Sequence, residues 1–201
     1  MRLKILGLII AVLLLGSCNA VENDSTSGSR LQIVSLTGND IQGKAGSATA
    51  YSDVITNGSI FDDPAVAEVE AQPLDPTLGA TDVTPYMDVL VDQIDVEFRR
   101  TDGRNTEGVD VPYHFTQPMS IKVPITESVS IPFTLVRHVA KLEAPLFALR
   151  DAVNQGKVLQ LVAVVTIHGT DGAGKRVAPV TGYLSVWCSD FADPTTTTSV
   201  Q

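Results

Sequence analysis

The stretch VLQLVAVVTIHGTDGAGKRVAPVTGYLSVWCS, residues 158–189, decides the fold class. Its first part, VLQLVAVVTIHG (158–169), is apolar enough for a central strand, and APVTGYLSVWCS (178–189) alternates as the partner of such a strand would. Between them TDGAGKR is a Gly-rich hairpin turn.

Working outward, the same period of two recurs. MDVLVDQIDVEFRR (87–100) sets Ile94, Val96 and Phe98 on one face and Asp95, Glu97 and Arg99 on the other. SIKVPI (120–125) and VSIPFTLV (129–136) read as neighbouring strands joined through TES. Pro124 and Pro132 each remove a ladder donor, which assigns them to edge or bulged positions. Towards the N-terminus, LQIVSL (31–36) is a further strand, and ATAYSDVITNGSIF (48–61) carries an Asn57-Gly58 turn between apolar positions. AVAEVEAQ (65–72) fits strand or helix, and the proline-rich QPLDPTLGATDVTP (72–85) is a long crossing loop.

One helix competes with this pattern. In AKLEAPLFALRDAVNQG (140–156), Leu142, Leu146, Leu149 and Val153 recur at spacings of three and four, Pro145 suits a first turn, and Gly156 offers a stop. The expectation is one short helix near 144–154, lying across the end of the sheets. Seven or eight strands with short turns predict a mainly β protein, an antiparallel β-sandwich of Ig-like type. The strand order does not follow from the sequence.

The chain begins MRLKILGLIIAVLLLGSCNAVEND. Arg2 and Lys4 precede an apolar run of about a dozen residues, shorter than the roughly 20 that span a bilayer. Leu15-Gly16-Ser17-Cys18 resembles the lipobox of bacterial lipoproteins. The resemblance implies diacylglyceryl transfer to the Cys18 thiol, cleavage before it and acylation of the new amino group. Two or three acyl chains hold a protein stably on a membrane where one does not. Asn19, where inner-membrane lipoproteins of enterobacteria carry Asp, directs the expectation to the outer membrane, facing the periplasm.

The expected organisation is therefore a signal peptide (1–17), a lipidated Cys18 with a flexible polar tether (18–30), one β-sandwich domain (31–193) and a disordered tail (194–201). FRRTDGRNTEGVDVPYHF, LVRHVAKLEAPLFAL, VTIHGTDGAGKRV and SDFADP are together similar to segments of a group of uncharacterised bacterial lipoproteins. That likeness supports the envelope reading and implies no mechanism.

Without residues 1–17 the chain has 12 basic and 23 acidic residues, a formal charge of −11. Such a field repels nucleic acid and anionic headgroups, so the membrane contact is expected through lipid and not a basic surface. Cys188, in an alternating strand, reads as a buried inert thiol, with an intermolecular disulfide as the alternative.

The search for chemistry returns little. His114, His138 and His168 show no zinc-ligand spacing. Asp102, Asn105, Glu107 and Asp110 crowd one loop and are weak calcium candidates, and Asp62-Asp63 and Asp92 with Asp95 add acidic pairs. The loop departs from the register of an EF-hand, and Asp-Gly is also ordinary turn chemistry. Arg104 and Arg137 are candidates for structural ion pairs. No nucleophile elbow or phosphate loop occurs. The leading expectation is a non-enzymatic interaction or scaffold module with an envelope protein partner. The alternative is a binding module for a small ligand, glycan or calcium using loops 101–112 and 169–175, and a hydrolase ranks third.

Overall fold

The computed structural model describes residues 27–78, 82–150 and 157–192. The signal segment, Cys18, most of the expected tether and the tail lie outside the described residues.

Nine strands are present among the described residues: β1 (Ser29–Asn39), β2 (Ala45–Ser47), β3 (Thr49–Asp53), β4 (Asp63–Pro73), β5 (Val89–Arg99), β6 (Phe115–Val123), β7 (Ser128–Val136), β8 (Leu159–Asp171) and β9 (Val180–Ser189). They form two sheets, β2-β1-β4-β7 and β3-β9-β8-β5-β6. Every pairing is antiparallel except β3 with β9. The fold is thus mainly β and sandwich-like. Ala65, Ala67, Val69, Ile131, Phe133 and Leu135 of one sheet meet Ile94, Val96, Phe98, Leu161, Val165 and Leu184 of the other in a common core.

The deciding stretch forms a hairpin. β8 and β9 pair from Leu159↔Cys188 to Ile167↔Val180. In its turn, Asp171 Oδ1 accepts from the Ala173 and Lys175 amides at 3.0 and 2.8 Å. The ambiguous segment 65–72 is strand: Ala65, Ala67, Val69 and Ala71 of β4 all point inward. The Asn57-Gly58 turn closes reciprocal backbone bonds between Thr56 and Ser59, with both central residues at positive φ.

Strand β5 buries Val89 and Val91, then Ile94, Val96 and Phe98. The switch from odd to even positions needs one extra residue, supplied by an irregularity between Val91 and Gln93.

Three expectations change. The segments around 120–125 and 129–136 are not a paired hairpin, because β6 and β7 belong to opposite sheets and each is an edge. The Gln117 amide on β6 links them across the gap, donating to the Thr134 carbonyl (2.7 Å) and accepting from the Thr134 N–H (3.1 Å). Pro132 does lie on an edge strand, and Pro124 falls just beyond β6.

The helix near 144–154 is absent where the structure describes it. Two 3₁₀ turns, His138–Leu142 and Leu146–Leu149, take its place, and 151–156 lie outside the described residues. Leu146 and Leu149 are buried while Leu142 is half exposed, so only the pair three apart shares a face. Three-residue spacing is the 3₁₀ repeat. Third, the domain starts before residue 31. The Ser27 N–H reaches the Arg176 carbonyl (3.4 Å), the Ser29 hydroxyl donates to the Met87 carbonyl (2.6 Å), and residues 27–30 are stitched in.

The sandwich has two ends. The chain enters at the near end, with the starts of β1 and β5 and the end of β8. The far end carries the start of β4, the end of β5 and the 3₁₀ turns.

Candidate binding surface

The two acidic loops lie at opposite ends. Val89 pairs with Asp171 and Arg99 with Val162, so loop 169–175 sits at the near end and loop 101–112 at the far end. Eleven residues of β5 separate them, roughly 35 Å at a strand rise of about 3.4 Å per residue. The two loops cannot line one site.

Each loop also uses its own polar groups. Asp102 accepts from Arg100 through two nitrogens (3.0 and 2.5 Å), and Arg104 Nη2 approaches it to 3.0 Å. The Arg100 guanidinium, followed by Arg104, holds the Asp102 carboxyl well below its usual range. Asn105 Oδ1 accepts from the Arg100 N–H (2.6 Å), Glu107 accepts from the His114 backbone and ring, and Asp110 accepts from the Thr106 N–H. Among the described residues, no group of three or more His, Cys, Asp or Glu side chains is arranged to hold a metal ion. The four calcium candidates therefore brace turns and do not converge.

Arg104 pairs with Asp102, whereas Arg137 meets a ring. Its guanidinium lies 4.3 Å above the Phe115 ring, a cation–π contact at the end of β7. His168 Nε2 is 2.9 Å from Asp95, whose other oxygen takes the Thr116 hydroxyl at 2.7 Å. Partial burial works to raise the Asp95 carboxyl, but bonds from Thr116, Gln93 and His168 outweigh it and lower it. Asp92 reaches Arg176 at 3.4 Å. The three histidines each sit with a different carboxylate, Glu107, Asp62 and Asp95.

The far end is where unusual chemistry collects. Lys141, on the first 3₁₀ turn, is only 1% exposed. Its Nζ donates to the Asp63 carboxylate (2.8 Å) and to the Asp53 carbonyl (2.7 Å), pinning the turn across the starts of β4 and the end of β3. Burial raises the Asp63 carboxyl against the pull of Lys141 and of the neighbouring Ser52 hydroxyl. Asp62 next to it is lowered, chiefly by the His138 backbone N–H. Cys188 packs in the same interior, wholly buried, and desolvation pushes its thiol up to about 12.

Above this pin lies a cleft of about 550 Å³ between the turn after β1, the segment before β4 and the chain after β9. Tyr51, Phe61 and Phe191 wall it, and Asp40, Asp53, Asp62 and Asp63 also line it. Tyr51 meets Trp187 and Phe191 edge-on, with ring centroids 5.6 and 5.7 Å away. Around the cleft and the 3₁₀ turns, Ile41, Phe61, Val139, Leu142, Phe147 and Val158 are exposed, Phe61 by 58%. Among the described residues the near end offers fewer, Leu74, Tyr86 and Leu90.

The sequence singles out Asp62-Asp63 as an acidic pair but not the cleft. Phe191 is distant in sequence from Tyr51 and Phe61, and the parallel pairing of β3 with β9 brings it beside Tyr51. The local signal was the Phe61-Asp62-Asp63 sequence itself, an aromatic beside two carboxylates outside the alternating pattern. Comparison with known proteins finds no matching family model, no matching curated protein and no matching solved structure.

Proposed function

We propose that this chain is a lipid-anchored protein of the bacterial envelope whose β-sandwich is a non-enzymatic interaction module, with the far end as its contact surface. One observation carries the reading. Exposed apolar side chains gather on the loops of the end opposite the chain's entry, at Ile41, Phe61, Val139, Leu142 and Phe147. Single exposed apolar residues are ordinary, but several on adjoining loops mark a surface that is covered in use.

The proposed topology is Ig-like. The order β1-β4-β7 facing β6-β5-β8-β9, with β3 parallel to β9, matches strands A, B, E and C′, C, F, G of such a sandwich. Cys18 supplies the proposed anchor in the outer membrane, facing the periplasm. Because the chain enters the domain at the near end, an anchor there turns the cleft and its apolar surroundings away from the lipid. That polarity is what a module reaching for an envelope partner requires.

The test is extraction of the full chain in a gentle detergent, followed by native mass determination. The expected result is an acyl mass on Cys18 and a stoichiometric protein partner, retained by the wild type and lost with Phe61→Ser or Phe147→Ser. An unacylated Cys18 overturns the anchor. A complex that survives both substitutions, or a bare monomer, overturns the contact surface.

A further inference from the structure

We propose that the far-end cleft binds an alkylammonium or guanidinium group carried on an aliphatic stem. The proposal deepens the far-end contact reading and rests on it for the side of the molecule that is presented. Its chemistry stands on the cleft alone.

The cavity, about 550 Å³, is in the range of a small-ligand pocket. Its walls combine two features. Tyr51, Phe61 and Phe191 present rings, and aromatic faces attract organic cations while their bulk receives an apolar stem. Four carboxylates, Asp40, Asp53, Asp62 and Asp63, line the same space, with no lysine or arginine among the lining residues.

The carboxylates are only partly spoken for. Asp40 Oδ1 accepts the Gln42 and Lys44 amides, and Asp62 Oδ1 accepts the His138 backbone N–H and ring nitrogen. Asp53 takes the Phe191 amide on one oxygen and the Thr56 hydroxyl on the other. Asp63 gives one oxygen to Lys141, and its other oxygen is buried on the side of the Ser52 hydroxyl. Among the described residues, Lys141 beside Asp63 and the His138 ring beside Asp62 are the basic groups paired with these four carboxylates, which outnumber them.

The spread of these groups selects the kind of cation. No three of them are arranged to hold a metal among the described residues. Carboxylates distributed round an aromatic cavity suit a larger organic cation, whose several N–H donors point in different directions. The same chemistry reaches the site from two sources, a lysine or arginine side chain of a protein partner, or a free polyamine.

The experiment titrates the full chain in nonionic detergent, by calorimetry, with Nα-acetyl-lysine amide, Nα-acetyl-arginine amide, cadaverine and calcium chloride. Nα-acetyl-norleucine amide is the uncharged match. The expected result is saturable binding of at least one organic cation, weakened by added salt, with the norleucine compound at least tenfold weaker. Phe61→Ser and Asp62→Asn each weaken it at least fivefold while the far-ultraviolet circular dichroism stays unchanged. Tighter binding of the amino-acid amides assigns the cation to a protein partner, and tighter binding of cadaverine to a polyamine. Equal binding of norleucine, binding of calcium in place of the organic cations, or no saturable heat overturns the proposal. Loss of cation binding with the protein complex intact separates this failure from failure of the contact surface.

Discussion

At the residue scale, the position that does most to hold the far end is Lys141. A buried ammonium is tolerated only when paired, and here it is paired with Asp63 and a backbone carbonyl. Lys141→Met is expected to destabilise the fold by about 3 kcal/mol, because it strands a buried carboxylate. Adding Asp63→Leu recovers most of the loss, since an apolar pair of similar volume often matches an ion pair. Urea midpoints of the two variants check both halves, and a double variant no better than the single refutes the pairing. A second position is set by space. A Cβ on Gly38 would lie 2.5 Å from the Ala50 Cβ, where the two sheets approach. Gly38→Ala is therefore expected to cost about 1–3 kcal/mol, while Gly28→Ala, with open space around it, changes little. None of this was visible in the sequence. A lysine in a 3₁₀ turn carries no mark of burial, and Gly38 looks like any turn-proximal glycine until the second sheet is placed beside it.

At the element scale, the strands were legible because half-buried sheets write their faces at period two, and β5, β8 and β9 do so plainly. What period two does not carry is partnership. The short link after β6 suggests a hairpin, yet β6 and β7 split between the sheets, and the proline-bearing edges are the only local hint. The 3₁₀ turns were misread for a related reason, since leucines three apart satisfy an α-helix and a 3₁₀ turn equally. The candidate cleft was less legible still, because Phe191 reaches Tyr51 only through the parallel pairing of β3 with β9, and Phe61 comes from the segment before β4. The Gln117 bridge between β6 and β7 yields a test at this scale. Its amide serves both polar groups of Thr134, as a strand would. Gln117→Met keeps the volume and leaves both groups unserved, at an expected cost of about 1–2 kcal/mol. Hydrogen exchange at the Thr134 amide should accelerate more than at Val129, on the same strand but beyond the bridge. Unchanged protection at Thr134 shows that the bridge carries nothing.

For the whole molecule, acidity is the governing electrostatic fact, and it is distributed along the length of the sandwich. At the near end, burial opposes ionisation of Asp88 and Asp171, but Lys122 with the Ile125 amide, and the Lys175 amide with its neighbours, outweigh it and lower both carboxyls. Asp95 on the sheet face and Asp62 and Asp102 at the far end are lowered as well. A carboxyl lowered on folding binds fewer protons in the native chain than in the unfolded one between the two pKa values, so stability rises with pH across that interval. The contribution is complete above the unfolded value, about 4, and disappears as pH falls through the folded values. Asp63 acts in the opposite sense. Burial raises it, so the folded chain holds its proton longer and its contribution declines as pH rises through the raised value. Glu68 and Asp75 are lowered by hydrogen bonds too, and these seven carboxyls against Asp63 leave acid destabilisation as the net expectation. Urea midpoints should climb as pH rises towards about 4 and level off above that. Asp88→Asn and Asp95→Asn should each flatten the climb while lowering the plateau, because each removes the charge that its partners stabilise. A midpoint independent of pH over this range, or a climb that neither substitution alters, means that these hydrogen bonds are not kept in solution.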